Sequence, residues 1–218
     1  ANGTSRAVTL TLEYDQRDDR FAPSKGIFAS SSVEYAGVGG TIDYTKGLSS
    51  FRYYKKIMWD MVWRNNLSYG FITPNASGKP VPFNELFLLG GANTLRGYNW
   101  YSVGRRQQSN KVRDQAAAAG DPDPASTSLL PFGGTQQLYY NLEFQFPLIT
   151  EAGIQGVIFY DVGQAEDGLF VDAFRQDVGF GFRWFSPIGP LRFEWGFPLQ
   201  RRSKEPPVYF EFAIGAPF

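Results

Sequence analysis

Few residues in this chain have side chains suited to chemistry. Histidine and cysteine are both absent from its 218 residues. That removes Ser-His and Cys-His nucleophilic devices, disulfides and the usual zinc ligand sets. What remains is the chemistry of arginine and carboxylate. The sharpest candidate is Arg96, in the stretch Gly90-Gly91-Ala92-Asn93-Thr94-Leu95-Arg96-Gly97-Tyr98. A guanidinium is costly in a low-dielectric interior unless paired, and its planar fork fits carboxylates bidentately. A solvated turn arginine is the plain alternative. Glu143 and Asp161 are the obvious carboxylates at inward strand positions. Asp15, Arg17, Asp18 and Asp19 make a charged cluster, but their spacing is not that of a calcium loop and a solvated turn accounts for them. No catalytic residue, metal site or cofactor is assigned.

The elements that must position Arg96 are strands. Apolar and polar residues alternate with a period of two along most of the chain. Val8, Leu10, Leu12 and Tyr14 oppose Thr9, Thr11 and Glu13. The same pattern runs through about 27–35 and, with a weak phase, through 41–55. It is clear from Ile57 to Phe71, a strand that is long or broken at Asn65-Asn66. It returns at about 137–146, 158–162, 177–184, 191–197 and 209–218. In nearly every strand the apolar parity is aromatic-rich and charged residues such as Arg64, Arg183, Arg192 and Glu194 stand opposite.

Aromatics make up 17% of the chain, yet mean hydropathy is −0.29 and no apolar run suits a spanning helix. An antiparallel transmembrane β-barrel, apolar outside and polar inside, reconciles these facts. A soluble β-sandwich also alternates and is the structural alternative. Lysine plus arginine and aspartate plus glutamate both count 21, so no net field points to nucleic acid. Connections alternate between short turns, at 147–153 and 186–190, and longer ones, at 164–176 and 74–135. The longest of these is expected to be an extracellular loop folding into the lumen, with Ala116 to Ala119 in a flexible insertion. Residues 1–4 do not read as a signal peptide.

Leu95-Arg96-Gly97-Tyr98, preceded by Phe87-Leu88-Leu89-Gly90-Gly91, resembles the loop motif of the BamA-like outer-membrane insertase and transporter superfamily. Tyr14 to Asp19 with Pro23-Ser24-Lys25-Gly26, Phe159 to Gly163, Ser186 to Leu191 and a terminal Phe218 are similar to further pieces of that family, in its order. The resemblance implies that Glu143 and Asp161 are the lumenal partners of Arg96. Gly97 would permit a backbone conformation or approach that a side chain blocks, and Tyr98 would pack on the inner wall. Phe210, Phe212, Ile214 and Phe218 would form the last strand and a C-terminal assembly signal. A family barrel has sixteen strands, so the nine read here are expected to be its C-terminal half, residues 1–218 forming one barrel segment. The implied function is folding and insertion of β-barrel proteins into the bacterial outer membrane, without covalent chemistry. It would work by strand addition at a weak seam beside the last strand, a lateral gate that Pro217 would help to leave loosely paired. The implied partners are unfolded outer-membrane proteins, the lipid bilayer, assembly lipoproteins and POTRA domains upstream of this chain. A two-partner or TamA-like polypeptide transporter pore is the alternative.

Overall fold

The computed structural model describes residues 3–75, 80–186, 189–202 and 204–215. The strands are β1 (Ala7–Asp15), β2 (Gly26–Ala36), β3 (Tyr44–Lys56) and β4 (Val62–Pro74). The long connection follows, holding β5 (Arg106–Gln108), helix α1 (Asn110–Ala118), helix α2 (Pro124–Thr127) and β6 (Leu129–Pro131). Then come β7 (Gln136–Ile149), β8 (Ile154–Glu166), β9 (Arg175–Ser186), β10 (Gly189–Pro198) and β11 (Tyr209–Ile214). Nine of them form one antiparallel sheet in the order β1-β2-β3-β4-β7-β8-β9-β10-β11, while β5 and β6 pair separately. The sheet is an unclosed segment of barrel wall. Among the described residues β1 and β11 each pair on one side only.

Register follows the alternation. Across the wall, Arg64 lies opposite Glu143, Asn141 opposite Asp161, Asp161 opposite Asp177, and Arg183 opposite Arg192. All of these face inward and are buried. The other parity faces out. There Phe182, Phe193 and Phe212 form one cross-strand row, and Phe180, Trp195 and Phe210 another, with neighbouring centroids 4.8–5.7 Å apart. Aromatic pairs across antiparallel strands stabilise a sheet and suit an apolar exterior.

Two expectations need correction, and of the long and the broken readings of the fourth strand the long one holds. The strand expected from Ile57 begins at Val62, because Met58–Asp60 form a 3-10 turn with Trp59 and Asp60 at φ 55° and 58°. Asn65-Asn66 does not break that strand. Asn66 Nδ2 donates to Asn141 Oδ1 at 2.9 Å, and Asn65 Oδ1 accepts from the Tyr140 hydroxyl at 2.5 Å. The segment expected to be a flexible insertion is helical. The alanines extend α1, a strong helix former, after an N-cap at Ser109. Pro124 opens α2, and Asp123 caps it by accepting from the Ser126 N–H at 3.1 Å. Lys204 then ties the insertion to the connection between β10 and β11, meeting Asp121 at 2.6 Å. The charged cluster makes a turn, with Asp15 bound to Arg17 at 2.9 Å and Asp18 accepting from the backbone of Ser24 and Lys25. Pro217 and Phe218 lie outside the described residues.

Candidate functional site

The long connection folds back over the inner face of the wall. Its base is fixed by isolated bridges, Phe87 to Gly134 and Leu89 to Val103. Leu89, Leu95, Tyr98 and Val103 pack with Ile72 and Ala165 into the main apolar cluster. The tip is a self-closed turn. Gly91 N–H donates to the carbonyls of Leu95 and Tyr98 at 3.1 and 2.9 Å, and Gly90 N–H to Thr94 Oγ1 at 2.8 Å. Gly90 and Gly91 sit at φ 113° and 92°, where a side chain would be strained.

That turn delivers Arg96 to the wall, 2% exposed. Its Nε and Nη2 donate to the two oxygens of Asp161 at 2.8 and 2.7 Å, a bidentate fork. Its Nη1 donates to Glu143 Oε1 at 2.5 Å, and its backbone N–H to Asp161 Oδ2 at 3.2 Å. The guanidinium lies 3.5 Å from the centroid of the Phe159 ring, between the two acids in sequence. Leu95, Arg96, Gly97 and Tyr98 thus meet Glu143 and Asp161 in one place. Tyr98 is fully buried, its hydroxyl donates to Gln176 O at 2.8 Å, and the Arg175 guanidinium covers its ring at 4.8 Å.

Gly97 allows a close approach. A Cβ there would overlap the Cβ of Asp177. The wall answers with its own glycine, since a Cβ on Gly196 would meet Arg96 C and O and Gly97 N at 2.5 Å. Loop backbone therefore lies directly on strand backbone.

The sequence reading missed the breadth of the network. Arg183 forks onto Glu143 at 2.9 and 2.6 Å and donates to Glu194 Oε1 at 2.7 Å. Arg64 donates to Gln145 Oε1 at 2.6 Å and stands 3.6 Å from Glu143. Arg192 holds the loop from another side, through Ala92 O at 3.2 Å and Asn93 Oδ1 at 2.8 Å. The signal was present, since all three arginines occupy the inward parity of strands near the acids. Asp177 is buried directly across from Asp161, and neither of its oxygens receives a well-formed hydrogen bond. Outward-facing Phe210, Phe212 and Ile214 on β11 lie apart from this cluster and are exposed. Among the described residues no cluster of histidine, cysteine, aspartate or glutamate is arranged to hold a metal.

The Omp85 superfamily domain matches residues 2–218, almost the whole chain. The chain belongs to the Omp85 superfamily. Among curated relatives, the outer membrane protein assembly factor BamA of Nitratidesulfovibrio vulgaris is 30% identical over 97% of this chain and 25% of the relative. The chain spans about a quarter of the length of the curated relatives it matches over nearly all of its own. Among solved structures, BamA from Haemophilus ducreyi lacking POTRA domains 1–3 superposes with a TM-score of 0.77 at 20% identity, over 96% of this chain and 42% of that one. CdiB from Acinetobacter baumannii superposes less well, with a TM-score of 0.57 at 13% identity, over 98% and 34%. These likenesses establish the fold as part of an Omp85 barrel wall, and membership with bacterial BamA relatives places the chain in the bacterial outer membrane.

Proposed function

We propose that this wall segment is the C-terminal half of a sixteen-stranded barrel in an outer-membrane protein assembly factor, acting without covalent chemistry. The observation that carries the reading is the seating of Arg96 on Asp161 and Glu143, in a chain 30% identical over 97% of its length to a BamA. The motif turn is a latch that holds the long loop inside the lumen. Extracellular placement of that loop accords with the direction of the strands and the length of the connection. With the lumen occupied, work on a substrate falls to the sheet edge. An incoming strand brings unpaired backbone groups, each costing several kcal/mol in lipid, and an edge strand offers partners for them. The substrates are unfolded outer-membrane proteins. POTRA domains and assembly lipoproteins complete the machine, and Phe210, Phe212 and Ile214 belong to the strand beside the seam and to the C-terminal assembly signal.

The test uses the full-length protein in lipid vesicles, supplied with an unfolded β-barrel substrate. Folding, read by heat-modifiable migration on gels, is expected to outpace that in empty vesicles. Equal folding rates, with transfer of an unfolded polypeptide into the vesicle interior, would replace this reading with a secretion pore. The likeness to CdiB is what favours that second reading.

A further inference from the structure

We propose that Trp100 is a positioning residue that braces the last described strand, β11, against the lumenal loop. Its indole Nε1–H donates to Glu211 Oε2 at 2.9 Å, joining residues 111 apart in sequence. The strand it holds is short. β11 has six residues, against nine to fourteen in the other strands of the sheet, and six register pairs fix it to β10.

The inner face of β11 also carries a repulsion. Glu211 lies directly opposite Glu194, and both are buried. Like charges directly opposite across a sheet destabilise it. Glu194 is answered by Arg183 at 2.7 Å, whereas Glu211 is answered by the loop indole. The indole is itself held by the motif, because a Cβ on Gly91 would meet its ring carbons at 2.5–2.9 Å. The turn that seats Arg96 therefore places Trp100, and Trp100 places β11. Motif and last strand are one mechanical unit. Their link to assembly activity rests on the seam reading above, but the brace itself does not.

The experiment is hydrogen exchange of the 209–214 backbone in the full-length protein in lipid nanodiscs. Trp100→Phe keeps an aromatic ring and removes the donor. Losing a hydrogen bond to a charged acceptor is expected to speed exchange there by roughly ten- to a hundredfold. Glu211→Leu removes the acceptor and the facing charge together, so it is read against Glu211→Gln, which relieves the same charge. Faster exchange in Glu211→Leu than in Glu211→Gln isolates the indole bond, and equal exchange in the two overturns the brace, which keeps the test decisive should the tryptophan variant misfold. Glu211→Gln retains an acceptor and relieves the facing charges, so its exchange stays close to the native rate. Native exchange in Trp100→Phe overturns the brace, as does equal loosening in Glu211→Gln. The rate of substrate folding is read separately. Faster exchange with an unchanged folding rate supports the brace and sinks the seam reading.

Discussion

Replacing Arg96 with alanine tests the latch most directly, and the contacts fix what should follow. The substitution removes three charge-assisted hydrogen bonds, two to Asp161 and one to Glu143. The two acids are not left equally exposed to the loss. Glu143 keeps the fork of Arg183 at 2.9 and 2.6 Å. Among the described residues Asp161 keeps the Asn141 amide at 2.8 Å and the backbone N–H of residue 96. It also faces Asp177 across the strand pair. Removing one partner of a buried ion pair costs about 3–5 kcal/mol, chiefly through the charge left behind. With Glu143 still compensated, the low end applies, and about 3 kcal/mol raises the open population of the loop roughly a hundredfold. The assay is hydrogen exchange of the amides at 94–98 in the full-length protein, paired with protease accessibility of the same loop. Since the cost resides on Asp161, Arg96→Ala combined with Asp161→Asn should regain part of the lost protection. Arg96→Lys keeps the charge without the fork and should fall between native and alanine. Native-like exchange in Arg96→Ala would refute the latch. A double variant as loose as the single one would refute the assignment of the cost to Asp161.

Gly196→Ala should displace the same loop with every charge intact. Its Cβ meets loop backbone at 2.5 Å, and overpacking of that kind costs roughly 1–3 kcal/mol, visible as faster exchange at 94–98. Asp177→Asn is nearly isosteric and replaces a buried carboxyl group that faces Asp161 without a well-formed hydrogen bond. Its thermal stability in detergent should equal or exceed that of the native protein, and a marked fall would mean that the carboxylate has a partner.

The strands were legible because alternation is a physical necessity in a wall with one apolar and one polar face. Their ends were less so. Ile57, Trp59 and Met61 continue the apolar parity of β4, yet Trp59 is exposed in a turn. A turn at a membrane interface favours aromatics, so hydrophobicity there does not mark strand. The weak phase of β3 also has a cause. Leu48 faces inward, in register with Gly70, where a Cβ would meet both Leu48 and Phe87 of the loop. An inward leucine reads as noise until the loop it supports is known. Arg96, Glu143 and Asp161 were named from a local motif and two parities. Arg183, Arg192 and Glu194 have the same parity but no local motif, and only registers across β7 to β10 bring them together. Trp100 with Glu211 was beyond reach, because nothing in the sequence sets where a loop aromatic lands 111 residues away.

The latch combines two devices that fail in different ways, and this explains its place in the sheet. Charge alone would not fix the loop, because buried arginines and carboxylates can exchange partners at little cost when several stand nearby. Arg64, Arg96, Arg183 and Arg192 face Glu143, Asp161, Asp177 and Glu194, so alternative pairings exist. Space removes them. Gly97 and Gly196 bring the loop backbone onto β10, and at that approach the side chain of Arg96 spans to Asp161 and lies over the ring of Phe159. Phe159 in turn lies against Gly179, where a Cβ would overlap its ring. The inner face of β2 and β3 offers serines at Ser30, Ser32 and Ser50 instead, without a comparable cluster of buried arginine and acid. Glycine sets the depth, and the fork then selects the pair. A loop placed by charge alone would tolerate Gly196→Ala by shifting to another acid. One placed by contact and charge together should lose both at once.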